Sequence, residues 1–79
     1  MNVYDVLQRA DSFFFLQRAR RRRQVCLYEL AEPDFERSIA LQPSVMAFRE
    51  RAWMYEEMSA AAIVQWQIEL VDASRSVGL

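Results

Sequence analysis

The stretch from Ser44 to about Ser74 limits what this chain can fold into more than any other. Pro43 cannot continue a helix from before it but suits the first turn of a new one. Ser44 is a better capping side chain for that turn than Gln42, and no Gly or Pro follows until Gly78. The pattern predicts one helix over 44–74, about 46 Å long at 1.5 Å per residue. The rest of a 79-residue chain is too short to cover such a rod on all sides.

Two apolar stripes run along this helix. Val45, Phe48, Ala52, Tyr55, Ala62, Ile63, Trp66 and Leu70 share one face at the spacing of a coiled coil. The strict seam 45, 48, 52, 55, 59, 62, 66, 69, 73 is broken only by Ser59 and Glu69, with Leu70 beside the second break. Met46, Trp53, Ala60, Val64 and Val71 form the other stripe, and Arg49, Glu56 and Gln67 make a polar ridge between them. Stripes of this kind usually serve a protein's own core. Two of them on one long helix suggest one face for the chain and one for a partner. The seam carrying Phe48 and Trp66 is expected to be core, and the stripe carrying Trp53 an interface. Ala60, Ala61 and Ala62 would let a partner helix approach closely.

Upstream, Asn2 can cap a helix whose first turn holds Asp5. Val3, Val6, Leu7, Ala10, Phe13 and Phe14 recur at helical period, after which Phe15, Leu16, Ala19, Cys26, Leu27 and Leu30 gather on the opposite side. With no Gly or Pro to break it, this reads as one helix to residue 31. Glu32-Pro33 ends it, and Pro33 opens a short helix bearing Phe35, Ile39 and Leu41. The expected fold is all-α: two long helices, about 2–31 and 44–74, joined by a short one, about 33–41, as an antiparallel helical hairpin. It is read as one domain over 1–79 with a frayed tail over 75–79.

Composition narrows function by exclusion. With no His and one Cys, nucleophilic triads and zinc sites have no ligands or base to build on. One Gly leaves no phosphate-cradling loop, and Glu56 and Glu57, adjacent in a helix, point apart. An enzyme is therefore not expected, nor a cofactor, a metal or a small-molecule substrate. Cys26, between Val25 and Leu27, reads as a buried apolar residue. A single Cys suggests a reducing compartment. The apolar run Phe13–Leu16 precedes the basic run, unlike a secretion signal, and Met58–Ile68 is too short to span a bilayer. The expected location is the cytoplasm, or solution within a host cell. Hydrophobic residues make up 53% of the chain, rich for a domain this small, which points to an oligomer or a standing complex.

All ten basic residues are Arg, and five lie in Arg18-Ala19-Arg20-Arg21-Arg22-Arg23. From Glu29 to Asp72 nine acids face three Arg, so the run has acidic partners within the chain or on another protomer. Two other readings are an acidic patch on a different protein, and phosphates of a nucleic acid, although no aromatic interleaves the run and no base-reading motif is present.

Ile39-Ala40-Leu41-Gln42-Pro43-Ser44 and the helical residues after it resemble the junction of two tetratricopeptide repeats, a unit of about 34 residues. The slot that requires a small residue holds Trp53, however, and no loop signal separates two helices at Ser59, so the resemblance is set aside. Arg-rich, Gly-poor helical chains of this size occur among phage and accessory bacterial proteins, which is association only. The expected function is protein–protein contact, as an assembly, adaptor or inhibitor subunit or a homo-oligomer. Its interface would comprise Met46, Trp53, Ala60, Val64, Val71, Phe15 and Leu16, with Arg18, Arg20, Arg21, Arg22 and Arg23 gripping acids or phosphate. The alternative is a nucleic-acid-binding accessory protein using that Arg run.

Overall fold

The computed structural model describes residues 2–76 as three helices: α1 (Val3–Gln24), α2 (Tyr28–Leu41) and α3 (Val45–Ser76). The Asn2 side chain caps α1 by accepting from the Tyr4 amide. The Ser44 hydroxyl caps α3 by accepting from the Ala47 amide at 3.1 Å, as the sequence predicts.

The first correction lies between α1 and α2. The helix expected over 2–31 stops at Gln24. Cys26 adopts φ 62°, the amide of Leu27 donates to the Arg22 carbonyl at 2.8 Å, and that of Cys26 donates to the Arg23 carbonyl at 2.9 Å. These paired reversed bonds form a Schellman motif, usually built around Gly. Cys26 is exposed, not the buried residue its apolar neighbours suggested. The helix ends just after the Arg run, so Arg21, Arg22 and Arg23 fall in its last turn, where their charge meets the negative end of the helix dipole.

Pro33 supplies the second correction. It neither ends one helix nor opens another, but lies inside α2. Only the Glu29 carbonyl loses its i+4 donor, and both Glu29 and Pro33 are exposed, so water can satisfy that carbonyl. The inward stripe Ala31, Asp34, Phe35 and Ser38 keeps helical period straight through the proline, and its burial outweighs the local cost. The short helix expected over 33–41 is therefore Tyr28–Leu41. The frayed tail expected over 75–79 is helical at 75 and 76, and 77–79 lie outside the described residues.

Helices α1 and α2 lie side by side in opposite directions, with Ser12 meeting Ser38 and Arg18 meeting Asp34. At the tightest point the Ser38 hydroxyl donates to the Ser12 carbonyl at 2.8 Å, and the Ser12 hydroxyl donates to the Ser38 carbonyl at 2.9 Å. Each buried hydroxyl thus has a partner, and neither side chain holds the backbones apart. Helix α3 returns alongside, parallel to α1, with Arg20 and Arg23 against Glu50 and Glu57. The two long helices therefore do not form the antiparallel hairpin expected: α2 is long enough to reverse the chain once, and the antiparallel packing is between α1 and α2. The core is small: Leu16 and Ala19 from α1, Ala31 and Phe35 from α2, Ala47 and Met54 from α3. Three of the six are Ala, which brings the helices close but buries little apolar area.

The result is a rod 70 × 17 × 15 Å. Residues 3–11 of α1 lie towards one end and residues 59–75 of α3 towards the other, and every residue of both stretches is exposed. No helix among the described residues is long and apolar enough to cross a membrane.

Candidate protein interface

The Arg run is where the chain's own electrostatics converge. Asp34 lies on the inward stripe of α2, with a side chain only 6% exposed. Its carboxylate takes a two-pronged grip from Arg18, Nε to Oδ2 and Nη2 to Oδ1, both 2.8 Å, and a third bond from Arg22 Nη1 at 2.9 Å. Hydrogen bonding to Asp34 raises the Arg18 pKa above its ordinary value, against the smaller lowering effect of desolvation. Arg22 also donates to the Leu30 carbonyl at 3.3 Å. Arg23 is buried. It donates to Glu57 Oε1 at 2.8 Å, lies 3.2 Å from Glu50 Oε2, and stacks its guanidinium 4.4 Å from the Trp53 ring centre. Arg20 lies 3.7 Å from Glu50. Arg21 points to solvent, without an ion pair to an acid among the described residues. Apart from Arg21, the run is engaged in holding α1 to α2 and α3.

Tyr28 closes this end of the core. Its hydroxyl is 3.5 Å from Cys26 Sγ and 3.1 Å from Glu57 Oε2. The Cys26 contact, then desolvation, then Glu57 push its pKa above the usual tyrosine range.

Helix α3 turns a third face inward, distinct from both stripes. Ala47 and Met54 are buried, with Glu50, Glu57 and Met58 around them. At 100° per residue, the seam carrying Phe48 and Trp66 lies roughly 150° from this face, and the stripe carrying Trp53 roughly 90° away on the other side. The expectation that Phe48 and Trp66 form the core is overturned: Phe48, Tyr55, Ile63, Trp66 and Leu70 are all exposed. The inward face was hidden because its contacts alternate small, acidic and Met residues, a pattern that reads as polar. The repeat of Glu50 and Glu57 one heptad apart, matching the surplus of Arg in α1, was the available signal.

The predicted interface residues are spread along the rod. Met46 and Trp53 are exposed near the body, while Ala60, Val64 and Val71 lie on the projecting half of α3. Phe15 is partly buried among Phe14, Arg18 and Arg37, with Phe14 edge-on at 5.5 Å. Leu16 was assigned to a partner but belongs to the chain's own core, because the inward face of α1 is Ser12, Leu16, Ala19 and Arg23. Arg51 leans over the Phe48 and Tyr55 rings at 5.5 and 6.0 Å, so a cation borders the exposed seam.

No protein-family model matches this sequence, and no curated protein or solved structure matches the chain.

Proposed function

We propose that this chain is a small, non-enzymatic protein-interaction subunit, of assembly, adaptor or inhibitor type, acting in the cytoplasm or in solution within a host cell. The α1–α2 hairpin serves as the platform, and α3 is the arm that makes contact. One observation carries the reading: α3 presents an apolar seam, interrupted only by Ser59 and Glu69, on the side away from the core, and residues 59–75 of its second half are all exposed. An isolated helix of that length is marginal in water, and contiguous apolar surface on a small protein marks a contact site. The exposed Val3, Val6, Leu7, Phe13 and Phe14 at the far end of α1 add to the uncovered surface.

Phosphate contact by Arg18, Arg20, Arg22 and Arg23 would compete with their bonds to Asp34, Glu50 and Glu57. Nucleic-acid binding is accordingly expected to be weak and sequence-blind. A log–log salt slope near −4.5, as about five phosphate contacts would give, is the contrary result. The direct test is capture of the tagged chain from native lysate, with the mass of the eluted assembly measured. A complex larger than the 9.4 kDa chain that is lost in Trp66→Ala supports the reading. A 9.4 kDa monomer with a cooperative melt and no companion overturns it.

A further inference from the structure

We infer that the outward seam of α3 is covered by a second copy of the same helix, running antiparallel about a two-fold axis at the Ser59–Ala62 segment. This rests on the contact-subunit reading above and names its partner.

The midpoint of the helix fixes where such an axis can fall. Helix α3 spans Val45–Ser76, so its centre falls between Ala60 and Ala61. The longest run of small residues in the helix, Ser59 to Ala62, lies there, and small residues let two helices cross closely. A two-fold at that point lays residues 59–76 of one copy along residues 45–62 of the other. Each projecting half then rests on a half already fixed by α1 and α2. The bodies sit at opposite ends, on the far side of α3 from the seam, and do not collide.

The layers formed by this register are complementary. Phe48 opposes Ala73 of the second copy, large against small. Tyr55 opposes Trp66, two aromatics that can pack offset, and Ser59 opposes Ala62. Glu69, the one charge in the strict seam, opposes Ala52. Arg51 flanks the same layer, within reach of Glu69 and Asp72 of the second copy, and the symmetry makes that contact twice. A parallel pair in register would instead set Glu69 against Glu69 in the middle of the seam, where like charges repel. The charge pattern therefore selects the antiparallel arrangement.

The available area is sufficient. Phe48, Tyr55 and Trp66 are 45%, 39% and 60% exposed, which at ~200 Å² per aromatic side chain gives roughly 300 Å² per copy. Doubling this for the two copies, and adding Ile63, Leu70 and the alanines of the seam, brings the total to about the 1,000 Å² that a specific interface needs. The contact is isologous and closes on itself, so it yields a dimer and not a fibre.

The test uses the full chain. Sedimentation of the purified protein at micromolar concentration is expected to give twice the 9.4 kDa chain mass. Trp66→Ala is expected to weaken self-association on the order of tenfold or more, with Trp53→Ala changing it little. Direction is read by disulfide capture in a Cys26→Ser background. Mixed Ser59→Cys and Ala62→Cys chains should cross-link to each other in preference to themselves. Preferential cross-linking of Ser59→Cys chains among themselves overturns the antiparallel arrangement. A dimer sensitive to Trp53→Ala and indifferent to Trp66→Ala overturns the choice of face. A monomer that still captures a different protein through Trp66 overturns the second-copy inference and leaves the contact-subunit reading standing. A monomer that captures nothing overturns both.

Discussion

Replacing Asp34 by Asn isolates the electrostatic clamp from packing, because volume is kept and charge is lost. Asp34 is 6% exposed at its side chain and accepts three charge-assisted bonds from Arg18 and Arg22. Breaking a fully buried pair costs about 3–5 kcal/mol, and an exposed pair is worth about 0–1. Here the acid is buried, but the two guanidiniums are 38% and 30% exposed. They can turn to water once released, so the loss falls between these limits, about 2–3 kcal/mol. At an m-value of about 1 kcal/mol/M in urea, the unfolding midpoint should drop by about 2–3 M. Circular dichroism at 222 nm, at fixed protein concentration because self-association shifts apparent stability, reads this directly. A chain this small has total stability near the low end of about 5–15 kcal/mol, so the variant keeps about 2–3 kcal/mol and should stay mostly helical without urea but melt early in the titration. A midpoint shift under ~0.5 M, the size of an ordinary surface substitution, would refute the clamp as a stabilising element.

Phe35→Ala removes the largest fully buried side chain and should cost about 3–5 kcal/mol, leaving little cooperative melting. A preserved melt would mean that the core is elsewhere. Cys26→Gly relieves a left-handed residue at φ 62° and should stabilise by about 0.5–1 kcal/mol once the extra freedom of Gly in the unfolded chain is counted. A lowered melting temperature would show that the Cys26–Tyr28 contact matters more. The Tyr28 pKa is raised in the folded state. Its contribution is therefore fully present below the unfolded value of about 10 and is lost only as pH rises through the elevated folded value. An absorbance titration at 295 nm should show one of the three tyrosines ionising last, with that late step absent in Tyr28→Phe. Three coincident ionisations would contradict the contact.

Much of the candidate site was legible as pattern but not as orientation. The seam through Phe48, Tyr55 and Trp66 is visible from spacing alone, and so is the acidic surplus that answers the Arg run. That neither apolar stripe of α3 faces inward was not legible. Periodicity reports that residues share a face, not what that face meets. The inward face of α3 carries two glutamates that count as polar until Arg23 and Arg20 are placed against them. Leu16 illustrates the same limit, since its neighbours Phe14 and Phe15 are larger and yet lie outside it.

Local chemistry decided the helices and their caps: Asn2 and Ser44 supply side-chain acceptors at the right offset, and residues 44 to 77 contain no Gly or Pro to interrupt α3. Tertiary contact decided the rest. The chain turns at Cys26, a residue with no intrinsic preference for φ 62°, because only a turn there lets Asp34 meet Arg18 and Arg22, and Ser38 meet Ser12. Helix α2 runs through Pro33 because the burial of Phe35, Ala31 and Ser38 on the opposite side exceeds the cost of one lost backbone bond. A propensity is a property of a few neighbouring residues, on the order of 1 kcal/mol. A packed stripe sums contacts from residues far apart in the chain, and where the two conflict, the larger sum sets the structure.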